Sequence, residues 1–169
     1  MAKRKKKDTM LSNSPLGYLL CRVIRDENNT PTDIEIVEIN AAFEDLFHMK
    51  SDTISGELVS KIDPHYFSEH PTWITFFESI SKTGISTYFE QYEKLLKKWF
   101  NSNAFYNKDG GYTFLFQDIT DQKIISEALE KFTSFNYNTI DYNYIAEKAK
   151  EISGAKYVIF NKYLDYSNT

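Results

Sequence analysis

The chain has 169 residues, enough for one complete domain with additions. Apolar residues make up 41% and aromatics 16%, so a core rich in Phe and Tyr is expected. Net charge is −4, but Lys3, Arg4, Lys5, Lys6 and Lys7 supply five of the 20 basic residues; the rest is an acidic body, with 24 carboxylates, poorly suited to broad nucleic-acid contact.

Residues 1–14 are polar and are expected to be a disordered, solvated start. Residues 18–25 (Tyr-Leu-Leu-Cys-Arg-Val-Ile-Arg) are rich in strand formers, and 26–32 (Asp-Glu-Asn-Asn-Thr-Pro-Thr) form a turn by composition. Residues 33–39 alternate as a second strand, giving an antiparallel hairpin. Asn40 then caps a short helix over 41–48, with Phe43, Leu46 and Phe47 on its apolar side. Short helical turns follow over 51–62, broken at Gly56 and stopped before Pro64. Pro71 suits the first position of another helix, running to about residue 82, with Trp73, Phe77 and Ile80 at helical spacing and Gly84 as its stop.

Three strands come next, over 86–93, 98–106 and 111–119. The second and third are joined by Asn107-Lys-Asp-Gly-Gly111, where glycine accepts the positive φ of a tight turn. In the last strand Tyr112, Phe114 and Phe116 alternate with Thr113, Leu115 and Gln117. Strand runs separated by a helical block imply an α+β domain, an antiparallel sheet with helices on one face.

The last strand runs into a helix without a loop, with Thr120 placed to cap it and Asp121 in its first turn. Gln122, Ile125, Leu129 and Phe132 are spaced 3, 4 and 3, a coiled-coil seam about one and a half heptads long. Residues 134–144 read as a linker, 144–153 as an amphipathic helix ended by Gly154, and 156–163 as one more strand. One helix and one strand cannot bury a core, so this tail is expected to be the start of a second domain.

This pattern resembles a PAS sensor domain. The matching pieces are Ser14-Pro-Leu-Gly-Tyr18, Ile39-Asn-Ala-Ala-Phe-Glu-Asp-Leu-Phe47, Lys98-Trp-Phe-Asn101 and Asp118-Ile-Thr-Asp-Gln-Lys123. Each is weak alone; together, in this order, they are fairly specific, and they span about residues 15–123. The tail from Asp141 looks like the opening of a GAF domain. The resemblance implies a five-stranded antiparallel sheet with helices on one face over 15–120, a connector helix over 121–135, and a truncated helix–strand fragment over 136–169. It implies the non-enzymatic, cytoplasmic input part of a bacterial or archaeal signalling protein of the histidine kinase or diguanylate cyclase type. No output motif stands in these residues. A homodimer through the seam is expected, with Asp118, Ile119 and Thr120 relaying sheet movement to the helix. No nucleic acid, metal or resident cofactor is expected, and no run approaches the ~20 apolar residues that span a bilayer.

PAS sheets hold small molecules between the concave face and the covering helices. On the fourth strand, period-2 geometry separates Trp99, Asn101, Asn103 and Phe105 from Phe100, Ser102, Ala104 and Tyr106. By resemblance the first set faces inward, with Phe89, Gln91, Tyr112, Phe114 and Phe116, under Trp73 and Phe77. Gln91, Asn101 and Asn103 would then need partners, a ligand or one another, because an unpaired buried polar group costs ~1–3 kcal/mol. A phase one residue out would turn the Asn101 and Asn103 amides to solvent. The alternative is a ligand-free dimerisation module with a filled interior. An enzyme has little support, because no nucleophile stands with a base. Cys21 lies on a strand, outside the Asn-Cys-Arg motif of flavin-binding relatives, and reads as a small hydrophobe; a lone cysteine forms no intrachain disulfide. His48, His65 and His70 lack the setting of a haem ligand.

Overall fold

The computed structural model describes residues 11, 13–107, 109–134 and 140–159. The described chain forms two compact units that divide between Asp118 and Ile119. The first unit carries β1 (Gly17–Arg25), β2 (Pro31–Ile39), α1 (Ala41–Phe47), α2 (Ser51–Ile54), α3 (Val59–Ile62), α4 (Tyr66–Glu69), α5 (Trp73–Thr83), β3 (Thr87–Glu93), β4 (Lys98–Tyr106) and β5 (Tyr112–Asp118). The second carries α6 (Thr120–Ser134) and α7 (Tyr142–Ser153). The sheet is antiparallel throughout, in the order β2-β1-β5-β4-β3, the five-stranded α+β arrangement expected above.

Local chemistry explains each connection. In the β1–β2 turn the Asp26 carboxylate accepts from the N–H groups of Asn28 (2.9 Å) and Thr30 (2.8 Å), and Asn29 takes the left-handed conformation. The buried Asn40 side chain does more than cap α1. Its Oδ1 accepts from the N–H of Phe43 and of Tyr18, both at 2.9 Å, while its Nδ2 donates to the carbonyls of Leu11 and Leu16 at the same distance. One amide therefore fastens the helix start to the start of β1. Asp33, also buried, accepts from the backbone of Ile34 and Ser60 and from the Ser60 hydroxyl, pinning β2 to α3.

Some details depart from expectation. Helix α5 starts at Trp73, with Pro71 two residues ahead of it, because the chain first makes a turn closed by the Trp73 N–H on the His70 carbonyl (3.2 Å). The single turn α4 is too short to leave a periodic signal. Residues 156–159 lie in no strand; a strand needs a neighbour to receive its backbone groups, and the described residues give that segment none. The rest of that expected strand, 160–163, the basic start over 1–10, and linker residues 135–139 lie outside the described residues.

The core lies between the sheet and the helices. Helix α1 brings Phe43 and Phe47 over Phe100 and Phe116, and α5 brings Trp73, Phe77 and Ile80 over Tyr112 and Phe114. Cys21, Ile34, Ile36 and Ile39 close the β1–β2 end.

Candidate functional site

The candidate site is the inner sheet face under α1 and α5. Its register decides what lines it. In β5, Tyr112, Phe114 and Phe116 are all buried. They stand opposite Tyr106, Ala104 and Ser102 of β4, and Ser102 and Phe100 in turn stand opposite Phe89 and Gln91 of β3. Opposed residues in antiparallel strands share a face. The inner face of β4 is therefore Phe100, Ser102 and Ala104.

This corrects the expected phase of β4. Trp99, Asn101, Asn103 and Phe105 lie on the outer face, where Asn101 opposes Gln117, Asn103 opposes Leu115 and Phe105 opposes Thr113. Trp99 packs against Tyr92 there, with ring centroids 5.4 Å apart. The physical reason is volume. Helix α5 packs over β4, and the large rings of α5 and β5 meet there; only small side chains such as Ser102 and Ala104 fit beneath them. The other expected positions do come together on the inner side. Trp73, Phe77, Tyr112, Phe114 and Phe116 are buried, and Phe89 and Gln91 are half-buried at its β3 rim.

These residues touch one another. Phe43 stacks on Phe47 at 4.4 Å and Phe47 on Phe100 at 4.8 Å; Phe77 meets Tyr112 edge-on at 4.6 Å; Phe76 meets Phe89 at 5.4 Å; and Phe67 lies 4.6 Å from Trp73. Such centroid spacings are direct ring contact. Aromatic surface fills this interior.

Two polar atoms interrupt that picture. The Ser102 hydroxyl is wholly buried on the inner face and has no hydrogen-bond partner, and the Asn103 side-chain oxygen is buried without one on the outer face. Ser102 was missed by sequence reasoning, as were Phe47 and Phe76; the membership of Ser102 in the alternate set of β4 was the available signal.

Titratable chemistry is sparse. Burial pushes the Cys21 thiol up to about 12, which keeps it neutral and unreactive at ordinary pH. Burial also raises Tyr66, with smaller contributions from Cys21, Asp63 and Glu93. Among the described residues no three His, Cys, Asp or Glu side chains stand together as a metal site.

At the exit from the sheet, Asp118 pairs with Lys98 at 2.9 Å, Ile119 is buried, and α6 begins at Thr120. The Lys123 N–H donates to the Ile119 carbonyl (2.9 Å), so Ile119, not Thr120, holds the capping position. Along α6, Gln122, Ile125 and Leu129 are exposed, while Phe132 is half-buried, with its ring 6.0 Å from that of Tyr144 on α7.

The chain is similar to solved PAS and sensory-box domains. A domain of an HTR-like protein from Haloarcula marismortui is 17% identical, with a TM-score of 0.43 over 63% of this chain and all of that one. The PAS domain of a protein from Colwellia psychrerythraea is 16% identical, with a TM-score of 0.43 over 65% of this chain and 91% of that one. A sensory box sensor histidine kinase structure from Vibrio cholerae is 16% identical, with a TM-score of 0.42 over 64% of this chain and 84% of that one. No protein-family model and no curated protein matches the chain. Among the described residues no helix is long and apolar enough to cross a membrane.

Proposed function

We propose that this chain is a PAS-type sensory input module that performs no catalysis of its own and acts through association and conformational relay. A change on the sheet passes along β5, through Asp118, Ile119 and Thr120, into α6. That helix pairs with its copy in a homodimer through Gln122, Ile125, Leu129 and Phe132. The pair then biases a downstream output of kinase or cyclase type between two states, in a longer cytoplasmic protein whose next domain, GAF-like, opens near Asp141.

The observation that carries this reading is the junction. A strand whose inner face is Tyr112, Phe114 and Phe116 is separated by one residue from a 15-residue helix with Ile125 and Leu129 exposed. A single intervening residue leaves little backbone freedom to absorb a strand movement. The filled interior favours association over a resident small molecule.

The test is a one-residue insertion after Thr120 in the longer protein. It rotates every later position of α6 by about 100° relative to the sheet while leaving the seam spacing intact. Dimerisation is expected to persist and output to be lost or locked. Normal signalling would refute the relay.

The Ser102 hydroxyl favours a second reading. An unpartnered buried polar atom on a residue that stands between Phe89 and Phe116 in the sheet register suits a small, uncharged, mainly apolar ligand with one hydrogen-bonding group, admitted by movement of Phe76 and Phe89 at the rim. Native mass spectrometry beside a denatured control decides it: the first reading expects the dimer at twice the bare chain mass with nothing added, the second a reproducible addition.

A further inference from the structure

The two ends of the sheet are built differently. At one end the turns use residues suited to them: Asn29 in the β1–β2 turn and Gly110 in the β4–β5 turn take the left-handed conformation, at φ 63° and 87°. The β3–β4 turn, at the other end, is Lys94-Leu95-Leu96-Lys97, with no Gly, Asn, Asp or Pro. Its left-handed position falls on Lys97, at φ 53°, where a side chain is strained. Leu96 packs against the core, which accounts for it. Leu95 does not: at 92% exposure it is the most exposed large hydrophobic of the described residues. Lys94 and Lys97 are exposed beside it and make no ion pair among the described residues, whereas Lys98 is held by Asp118 at 2.9 Å. The nearby carboxylate of Glu93, half-buried, accepts from the Leu95 N–H at 3.3 Å. A tip that departs this far from turn chemistry, at no gain to the core, answers to a demand other than folding.

The register adds two features to the same end. Tyr92 opposes Trp99 one step behind the closing pair of Glu93 and Lys98, with ring centroids 5.4 Å apart. At the rise of an extended chain, Tyr92 stands on the order of 10 Å behind Leu95. Gly17 opposes Phe116, so the chain enters β1 at this end, and in sequence that entry follows Lys3, Arg4, Lys5, Lys6 and Lys7. We propose that the β3–β4 tip docks on an anionic lipid surface: Leu95 enters the interfacial layer, Lys94 and Lys97 meet lipid phosphates, and Tyr92 and Trp99 stand at headgroup level. Interfacial anchors insert about 5–10 Å, which brings the aromatic pair to the polar boundary that such rings favour. Charge and hydrophobicity together select this occupant. A nucleic acid would satisfy the two ammonium groups but offer Leu95 no apolar layer, and the acidic body opposes a long polyanion lying along it. The proposal is independent of the sensory reading.

The test floats the whole chain with vesicles of phosphatidylcholine and phosphatidylglycerol in equal parts, beside vesicles of phosphatidylcholine alone. Binding is expected to the anionic vesicles, and to weaken as salt rises. Lys94→Gln, and Lys97→Gly, which keeps the left-handed turn without strain, are each expected to weaken it about fivefold. Leu95→Ser is expected to weaken it at least about tenfold. All three leave residues 3–7 and the core untouched, so their urea midpoints should stay near that of the parent. Trp99 emission is expected to shift to the blue with anionic vesicles, and Trp99→Phe to remove the shift, because Trp73 is buried. No vesicle binding, tip variants that bind like the parent, or a tip whose lysines matter for duplex DNA while Leu95→Ser is silent on vesicles would each overturn the proposal; the second result would assign binding to residues 3–7 alone, the third a nucleic-acid contact.

Discussion

The phase of β4 decides what the inner face can do, and two neighbouring substitutions test it. Phe100 is 0% exposed; its ring stacks on Phe47 at 4.8 Å and meets Phe116 edge-on at 6.5 Å. Removing such a ring takes away its transfer free energy and leaves a cavity whose rigid aromatic walls cannot close, so Phe100→Ala should cost about 3–5 kcal/mol. Asn101 is half-exposed on the outer face, and Asn101→Ala should lie within about 0.5 kcal/mol of neutral. Urea unfolding followed by circular dichroism reads both. With a slope of about 2 kcal/mol/M, Phe100→Ala should lower the midpoint by about 1.5–2.5 M, and Asn101→Ala by less than about 0.3 M. A reversed order, with Asn101 costly and Phe100 mild, would mean that the amides point inward and would refute the face assignment.

Three further outcomes follow from single groups. Asn40→Ala removes a helix cap and leaves the buried N–H of Tyr18 without its acceptor, at a combined cost of about 2–4 kcal/mol in the same denaturation assay; Asn40→Asp keeps both acceptor bonds but sets a carboxylate oxygen against the Leu11 and Leu16 carbonyls, so it should not restore parent stability. Ser102→Ala deletes a buried hydroxyl that has no partner, so thermal unfolding should show an unchanged or slightly raised Tm; a loss above about 1 kcal/mol would mean that the hydroxyl is paired in solution. The Cys21 thiol, raised from 9.0 to about 12 by burial, is an acid whose neutral form the fold favours; its contribution is therefore fully present below pH 9 and lost as pH climbs towards 12, at up to about 1.4 kcal/mol per pH unit. Stability profiles of the parent and Cys21→Ala should converge over that window, and parallel profiles would contradict it.

The sequence made the architecture legible wherever one face of an element was uniform. In β5 large rings alternate with Thr, Leu and Gln, so its inner face is readable and matches the burial seen. The Asn40 cap was readable because Asn directly before an apolar helix has few other uses. In β4 both faces carry aromatics, Trp99 and Phe105 on one and Phe100 and Tyr106 on the other, so period 2 gives no hydrophobic contrast. The choice there rests on where α5 comes close, a tertiary fact that favours Ser102 and Ala104 because they are small. Asn amides on the opposite set looked like binding groups only while that packing was unknown.

On the proposed sensory reading, the same packing sets how a signal would travel. With Phe43, Phe47, Phe76, Phe77, Phe89, Phe100, Phe114 and Phe116 in mutual contact, a shift of one ring cannot be absorbed locally; close-packed interiors pass displacement on. Phe114 and Phe116 place β5 inside that contact network, and β5 is also the strand that continues into α6. Entry of a ligand at the β3 rim through Phe89 and Phe76 would act on rings that reach β5 through Phe114. A filled interior is therefore compatible with sensing. On the proposed reading the signal would be a repacking of rings rather than the filling of a void, with the most sensitive positions at Phe76 and Phe89. There, truncation to Leu should alter the response to an input more than it alters stability, because both residues are only half-buried.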